Sequence, residues 1–199
     1  MPNIQPLTLD ELTPEMRERM EASYERSGYY PNAQLTLARR PEVAKAVQNL
    51  QQSIGGSSTV PMQTMFIVAE LTSKIAGCRH CQSHAAKNLS RHGVDAEKIR
   101  AIWEYQTSDL FDERERAALD LAFAAAQRPS MAGPEQFDRL REVGYVEAEL
   151  VDLMAMISLF GFLTCWNDSV ATETEAAPVE FATEVLGGMG WEPGKHAAS

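Results

Sequence analysis

The chain has 199 residues, 18 Lys plus Arg against 28 Asp plus Glu, and a formal net charge of −10. That length suits one domain, or at most two small ones, and can bury a sizeable core. A hydrophobic content of 44 % excludes disorder for the chain as a whole. The acidic balance argues against a nucleic-acid backbone or an anionic membrane surface as partner. Three cysteines are too few for a disulfide-stapled secreted scaffold. The start, MPNIQPLTLDELTPEM, lacks the basic and apolar segments of a secretory signal. The longest apolar run, residues 153–166, has 14 residues, short of the roughly 20 that a membrane-spanning helix needs. It reads as a helix buried in a core or an oligomer interface. The expected compartment is the cytoplasm, where thiols stay reduced.

The pattern is helical almost throughout, because Ala, Leu, Glu, Arg, Met and Gln dominate and alternating β-branched runs are missing. An amphipathic helix is expected over 9–27, then one over 42–53 opened by Pro41, with Gly55 to Ser58 as a loop. Thr59 is placed to cap a helix over 60–76. Gly77 interrupts it, and a helix follows over 78–92 with Gly93 as its stop. Asp95 caps a short helix to Tyr105, and Asp112 with Glu115 forms a capping-box pair before the run to Gln127. Helices over 134–143, 145–172 and 178–186 complete the chain. No linker divides it, so residues 1–199 read as one all-α domain, with N-terminal helices over 9–53 and a loose tail over 188–199.

The informative segment is AELTSKIAGCRHCQSHAAKN, in which Cys78, His80, Cys81 and His84 fall within seven residues. On one helix these four lie within roughly 160° of the circumference. Three chemistries compete. Two cysteines at i, i+3 can close a disulfide with little backbone movement. A helix start lowers a thiol pKa, and a nearby imidazole can take the thiol proton. Zinc suits the residue types, but two turns of one helix cannot surround a tetrahedral ion, and His92 and His196 stand isolated in the sequence. Simple burial of small hydrophobes is the third. The redox dithiol fits best. The segment before it is helix-rich, which separates this CxxC from the βαβ setting of thioredoxin.

SKIAGCRHCQSH resembles the core of the AhpD-like alkylhydroperoxidases of the carboxymuconolactone decarboxylase superfamily. DLFDERERAALDLAFAAAQ and CWNDSVATETEAAPVEFA extend the likeness over about residues 60–182. The resemblance implies an all-α helical bundle with the CxxC at the start of a helix in a hairpin. It also implies a homo-oligomer, a trimer or a multiple of it, and thiol-dependent peroxide reduction without metal or other cofactor. Carried over by position, Cys81 is the cysteine that attacks peroxide, Cys78 the resolving cysteine, His84 the relay histidine, and His80 the histidine between the cysteines. Two positions depart from the family pattern. The relay histidine commonly stands one residue later, where this chain has Ala85, and the family glutamate twelve before the first cysteine is Phe66 here. Glu70 is the nearest upstream carboxylate, about 80° from the Cys78 direction on a continuous helix. It faces the site only if Gly77 re-aims the chain, and a solvated helix-face carboxylate is the equal alternative. Glu115 is either a second proton-relay carboxylate or a cap. Helix-dipole reasoning favours Cys78 as nucleophile, while histidine spacing and the resemblance favour Cys81.

Cys165 reads as a core residue, and Met62, Met65, Met154 and Met156 as packing. Asn167 and Asp168 need partners if buried, so they line the site, meet another subunit, or mark where the helix emerges. Tyr29, Tyr30 and Pro31 form an aromatic turn without assigned chemistry. Lys74 and Arg79 are candidates for a local positive field at the thiols. The expected activity is reduction of hydroperoxides through the dithiol, with an external thiol or dithiol protein as reductant. The alternatives are a lactone enzyme of the decarboxylase type and a non-enzymatic zinc-binding or redox-sensing protein.

Overall fold

The computed structural model describes residues 1–198, in which ten α-helices and no strand occur. They are α1 (Pro14–Ser27), α2 (Asn32–Leu37), α3 (Pro41–Ser57), α4 (Met62–Ile75) and α5 (Arg79–Arg91). Then come α6 (Ala96–Ala101), α7 (Glu113–Ala126), α8 (Pro134–Glu142), α9 (Glu147–Val170) and α10 (Ala176–Leu186). Local chemistry sets many of the boundaries. Thr13 accepts the Met16 N–H ahead of Pro14 at the start of α1. Asp112 and Glu115 cap α7 reciprocally, as their spacing predicts.

The core forms where α4, α5, α7 and α9 pack together. Met65, Ile67, Val68, Ala69 and Leu71 of α4 are all buried, so α4 has almost no solvated face. Helix α10 covers α5, and α8 packs on α7 and α9. A smaller cluster, containing Met16, Met20, Leu35, Leu37 and Ala44, joins α1, α2 and α3 beside α9. Helix α9 has 24 residues and is long and apolar enough to cross a membrane by length and composition alone. Here it packs against α3, α4, α5, α7 and α8.

One short helix has no counterpart in the sequence pattern, and four expectations need correction. Residues 32–37 form a short helix that the sequence pattern did not show. Helix α3 runs through Gly55 and Gly56 to Ser57. Burial of Ile54 and the bond from Ser57 Oγ to the Ser53 carbonyl hold that last turn, against an intrinsic glycine cost of about 1 kcal/mol each. Thr59 does not cap α4; Pro61 stands at the cap and the Thr59 hydroxyl donates to Glu149. Cys165 is exposed on the outer face of α9. The run around it is apolar on all sides, so composition could not say which face turns inward.

The tail is not loose. Trp191 is buried in the main core and donates its indole N–H to the Arg79 carbonyl at 3.3 Å. His196 is likewise buried, with its carbonyl accepting the Thr174 N–H at 2.8 Å. The tail thus straps the start of α5. Trp191→Ala should cost about 3 to 5 kcal/mol of stability in urea unfolding, whereas a loose tail would show almost no change.

Candidate functional site

The site begins with a chain reversal. Gly77 adopts φ +73°, a left-handed conformation that L side chains rarely adopt. The Gly77 N–H bonds to the Lys74 carbonyl and the Cys78 N–H to the Ser73 carbonyl, which closes α4. Cys78 then stands at the N-cap of α5, and its sulfur accepts the Cys81 N–H at 3.3 Å. A capping sulfur near the positive end of a helix is favoured as thiolate. The Cys78 thiol is held down to about 6, first by the hydrogen bond from the Cys81 thiol. Burial opposes that shift, while a hydrogen bond to His196 and the Cys81 N–H add to it.

Cys81 has the opposite polarity. Burial, and then the neighbouring Cys78 sulfur, push its thiol well above the usual cysteine value. Asn167 donates its side-chain N–H to Cys81 Sγ at 3.4 Å and accepts the Thr172 hydroxyl at 2.9 Å. In the reduced pair the negative charge is favoured on Cys78 and the proton on Cys81. Access divides the other way. A cavity of about 510 Å³ is lined by Cys81, His80, His84 and Asn167. Tyr29 and Phe66 are on its wall too, while Cys78 is not. The charge sits behind, and the sulfur that meets the cavity is Cys81.

His84 does not spend its nitrogens on Cys81. Its Nε2–H donates to Glu175 Oε2 at 2.7 Å, since a carboxylate only accepts, and the Tyr29 hydroxyl lies 3.2 Å from Nδ1. Burial alone would raise the Glu175 carboxyl, but His84 and the Asn32 N–H hold it below the ordinary value. His80 Nδ1 lies 3.1 Å from the Thr174 hydroxyl. Burial, reinforced by His84 and His196, pushes its pKa well down, so His80 is neutral. The His80 ring centroid is 4.4 Å from that of His84 and 5.8 Å from that of His196. Three imidazoles thus line up from the cavity to the rear of Cys78.

Tyr29, Glu175 and His196 were not legible as site residues. The aromatic turn and Asn167 carry a signal; His196 stands isolated in the sequence, yet its ring nitrogen, Cys78 Sγ and an Asp168 carboxylate oxygen lie within 4.8 Å of one another. His80, His84 and Glu175 converge as closely. Both sets have donor types that a metal accepts, and within them His84 pairs with Glu175 at 2.7 Å and His196 Nε2 lies 3.5 Å from Asp168. Lys74 and Arg79 do not supply the thiols' field. Lys74 lies 5.0 Å from the Trp103 ring centroid, and Arg79 bonds Gln82. Glu115 pairs with Lys98 at 2.7 Å and caps α7.

Glu70 is not on a solvated face, and it does not line the cavity. It is buried between α4 and α5, where Oε1 accepts from Gln82 at 3.0 Å and Oε2 has no partner. Burial raises its pKa to about 7. The folded chain therefore binds more protons here than the unfolded chain, and stability falls as pH rises from the ordinary carboxylate range through 7. Glu70→Gln should raise the melting temperature at pH 8 and change it little at pH 5. The gain is at most about 3 kcal/mol. Equal effects at both pH values would contradict a buried, charge-averse carboxyl.

Fold and site together define an all-α protein with a buried dithiol opening on an apolar cavity. A model of the carboxymuconolactone decarboxylase family matches residues 41–124. The debrominase Bmp8 is 32% identical and superposes with a TM-score of 0.83 over 92% of this chain and 97% of its own. A cysteine-to-alanine variant of Bmp8 has been crystallised with 2,3,4-tribromopyrrole. A peroxidase-related protein with an AhpD core from Ralstonia eutropha JMP134 is 21% identical, with a TM-score of 0.82 over 92% of this chain and 95% of its own. YdfG of Bacillus subtilis strain 168, an uncharacterized protein, is 26% identical over 139 residues, 69% of this chain and 91% of its own. The chain belongs to the carboxymuconolactone decarboxylase/AhpD superfamily, as its CxxC segment suggested.

Proposed function

We propose that this protein is a dithiol oxidoreductase that reduces small, largely apolar hydroperoxides. The observation that carries the reading is the division of labour in the pair: Cys81 meets the cavity while Cys78 holds the charge behind it. The Cys81 proton passes along its existing hydrogen bond to the Cys78 sulfur, which frees a Cys81 thiolate. That sulfur attacks the terminal peroxide oxygen, the O–O bond breaks, and the alkoxide leaves as an alcohol after taking a proton from solvent at the cavity. Cys81 is then a sulfenic acid. Cys78 attacks it, an S–S bond forms, and water leaves. An external thiol or dithiol reductant returns both sulfurs to the reduced state. The His84–Glu175–Tyr29 group supplies a proton-exchanging, orienting wall at the cavity.

A second reading rests on the 32% identity with Bmp8. The same dithiol can reduce a bromoaromatic to the hydrogen-substituted ring, releasing bromide and a proton and closing the same disulfide. A lactone or decarboxylase activity needs no dithiol, so the site favours it least.

Turnover with excess dithiothreitol separates the readings. An alkyl hydroperoxide should be consumed faster than 2,3,4-tribromopyrrole; bromide release outpacing peroxide loss would favour the second reading. In a Cys165→Ser background, Cys78→Ser should stop at a trappable sulfenic acid on Cys81, and Cys81→Ser should abolish turnover. Trapping at Cys78 would reverse the roles. One equivalent of zinc blocking both thiols in purified protein would overturn the oxidoreductase reading.

A further inference from the structure

Once Cys78 has taken the proton from Cys81, it must lose it again before it can attack the oxidised Cys81. His84 is committed to Tyr29 and Glu175. His80 has Thr174 on Nδ1 and is held neutral. The remaining base at the rear of Cys78 comes from the C-terminal tail. His196 lies on the short turn Gly194–His196 and is 1% exposed. Its Nδ1 is 2.8 Å from the Thr172 carbonyl, which can only accept, so Nδ1 carries the hydrogen. Nε2 therefore faces the space shared by Cys78 Sγ and Asp168 Oδ1, the latter 3.5 Å away, and in the neutral ring it carries the lone pair that can take a proton from Cys78.

We infer that His196 is a catalytic residue of the dithiol centre: it accepts the Cys78 proton in the disulfide-forming step. The step balances without an outside reagent. The S–H proton of Cys78 moves to His196 Nε2, the Cys78 sulfur forms the S–S bond with Cys81, and the S–O bond of the sulfenic acid breaks. The hydroxide released takes the proton back as water. Asp168 favours the imidazolium while it lasts, and Lys195 pins the other Asp168 oxygen at 2.8 Å. The charged and titratable groups that face the pair are Cys81 and His80 of α5, Asp168 of α9 and Lys195 of the tail, with His84 one ring further off. Trp191 anchors the same tail to the Arg79 carbonyl, one residue from Cys78, so the geometry of this base depends on the end of the chain.

The inference rests on the dithiol reading and not on the identity of the substrate, and its titration tests use no substrate. In the Cys165→Ser protein, ultraviolet thiolate absorbance should show the first ionisation at about 6. His196→Gln should raise that midpoint by one pH unit or more, roughly tenfold in the acid constant. An unchanged midpoint in a folded variant overturns the assignment. Should His196→Gln fail to fold, NMR titration of the His196 ring decides the matter. Its pKa is raised, against burial, in part by Cys78, so Cys78→Ser should lower it, and no change overturns the pairing. Single-turnover disulfide closure after one equivalent of an alkyl hydroperoxide, followed at pH 5, should also slow about tenfold in His196→Gln and recover toward high pH, where Cys78 ionises unaided. A protein that shows both titrations but consumes neither hydroperoxide nor bromopyrrole sinks the substrate reading and leaves His196 in place.

Discussion

A sulfur atom sits where a helix usually has a capping oxygen. Cys78 accepts the free N–H of Cys81 in the first turn of α5, and this contact places the Cys78 sulfur beside the Cys81 thiol and the positive end of the helix. It requires the left-handed Gly77, because only a sharp reversal after α4 presents Cys78 to the turn that follows. The Cys81 thiol first, with His196 and this N–H adding to it, draws negative charge to Cys78, and burial together with that charge keeps the proton on Cys81. The sulfur that touches the cavity is therefore the one on which the proton is favoured.

Residues far apart in the chain finish the arrangement. The turn between α9 and α10 brings Thr172, Thr174 and Glu175 to the three imidazoles. Tyr29 and Asn32, from the connection between α1 and α2 and its far end, reach His84 and Glu175. The helices of the core do little chemistry themselves. Their packing holds α5 rigid, so that side chains from both ends of the protein can meet along one face of it.

The sequence was informative where physics is local. Helix periodicity, the Asp112–Glu115 box and the Gly77 break depend on residues a few places apart, and the dithiol on α5 was visible for the same reason. Long-range partners left no such trace. A histidine three residues from the end, in a Gly- and Pro-containing segment, looks unconstrained until Trp191 is found in the core. Glu175 looks like one more acid in an acidic chain, and Glu70 had an even choice between relay and solvated face, yet it is buried beside Gln82. Cys165 shows the converse error, since an apolar run conceals which of its faces is covered.

The claim on which the rest stands is that Cys78 and Cys81 are partners in one two-electron step. Peptide mapping of fully reduced protein after one equivalent of an alkyl hydroperoxide tests it most directly. The account predicts an intramolecular Cys78–Cys81 disulfide with Cys165 still free. Oxidation confined to the exposed Cys165, with Cys78 and Cys81 both recovered as thiols, would contradict it.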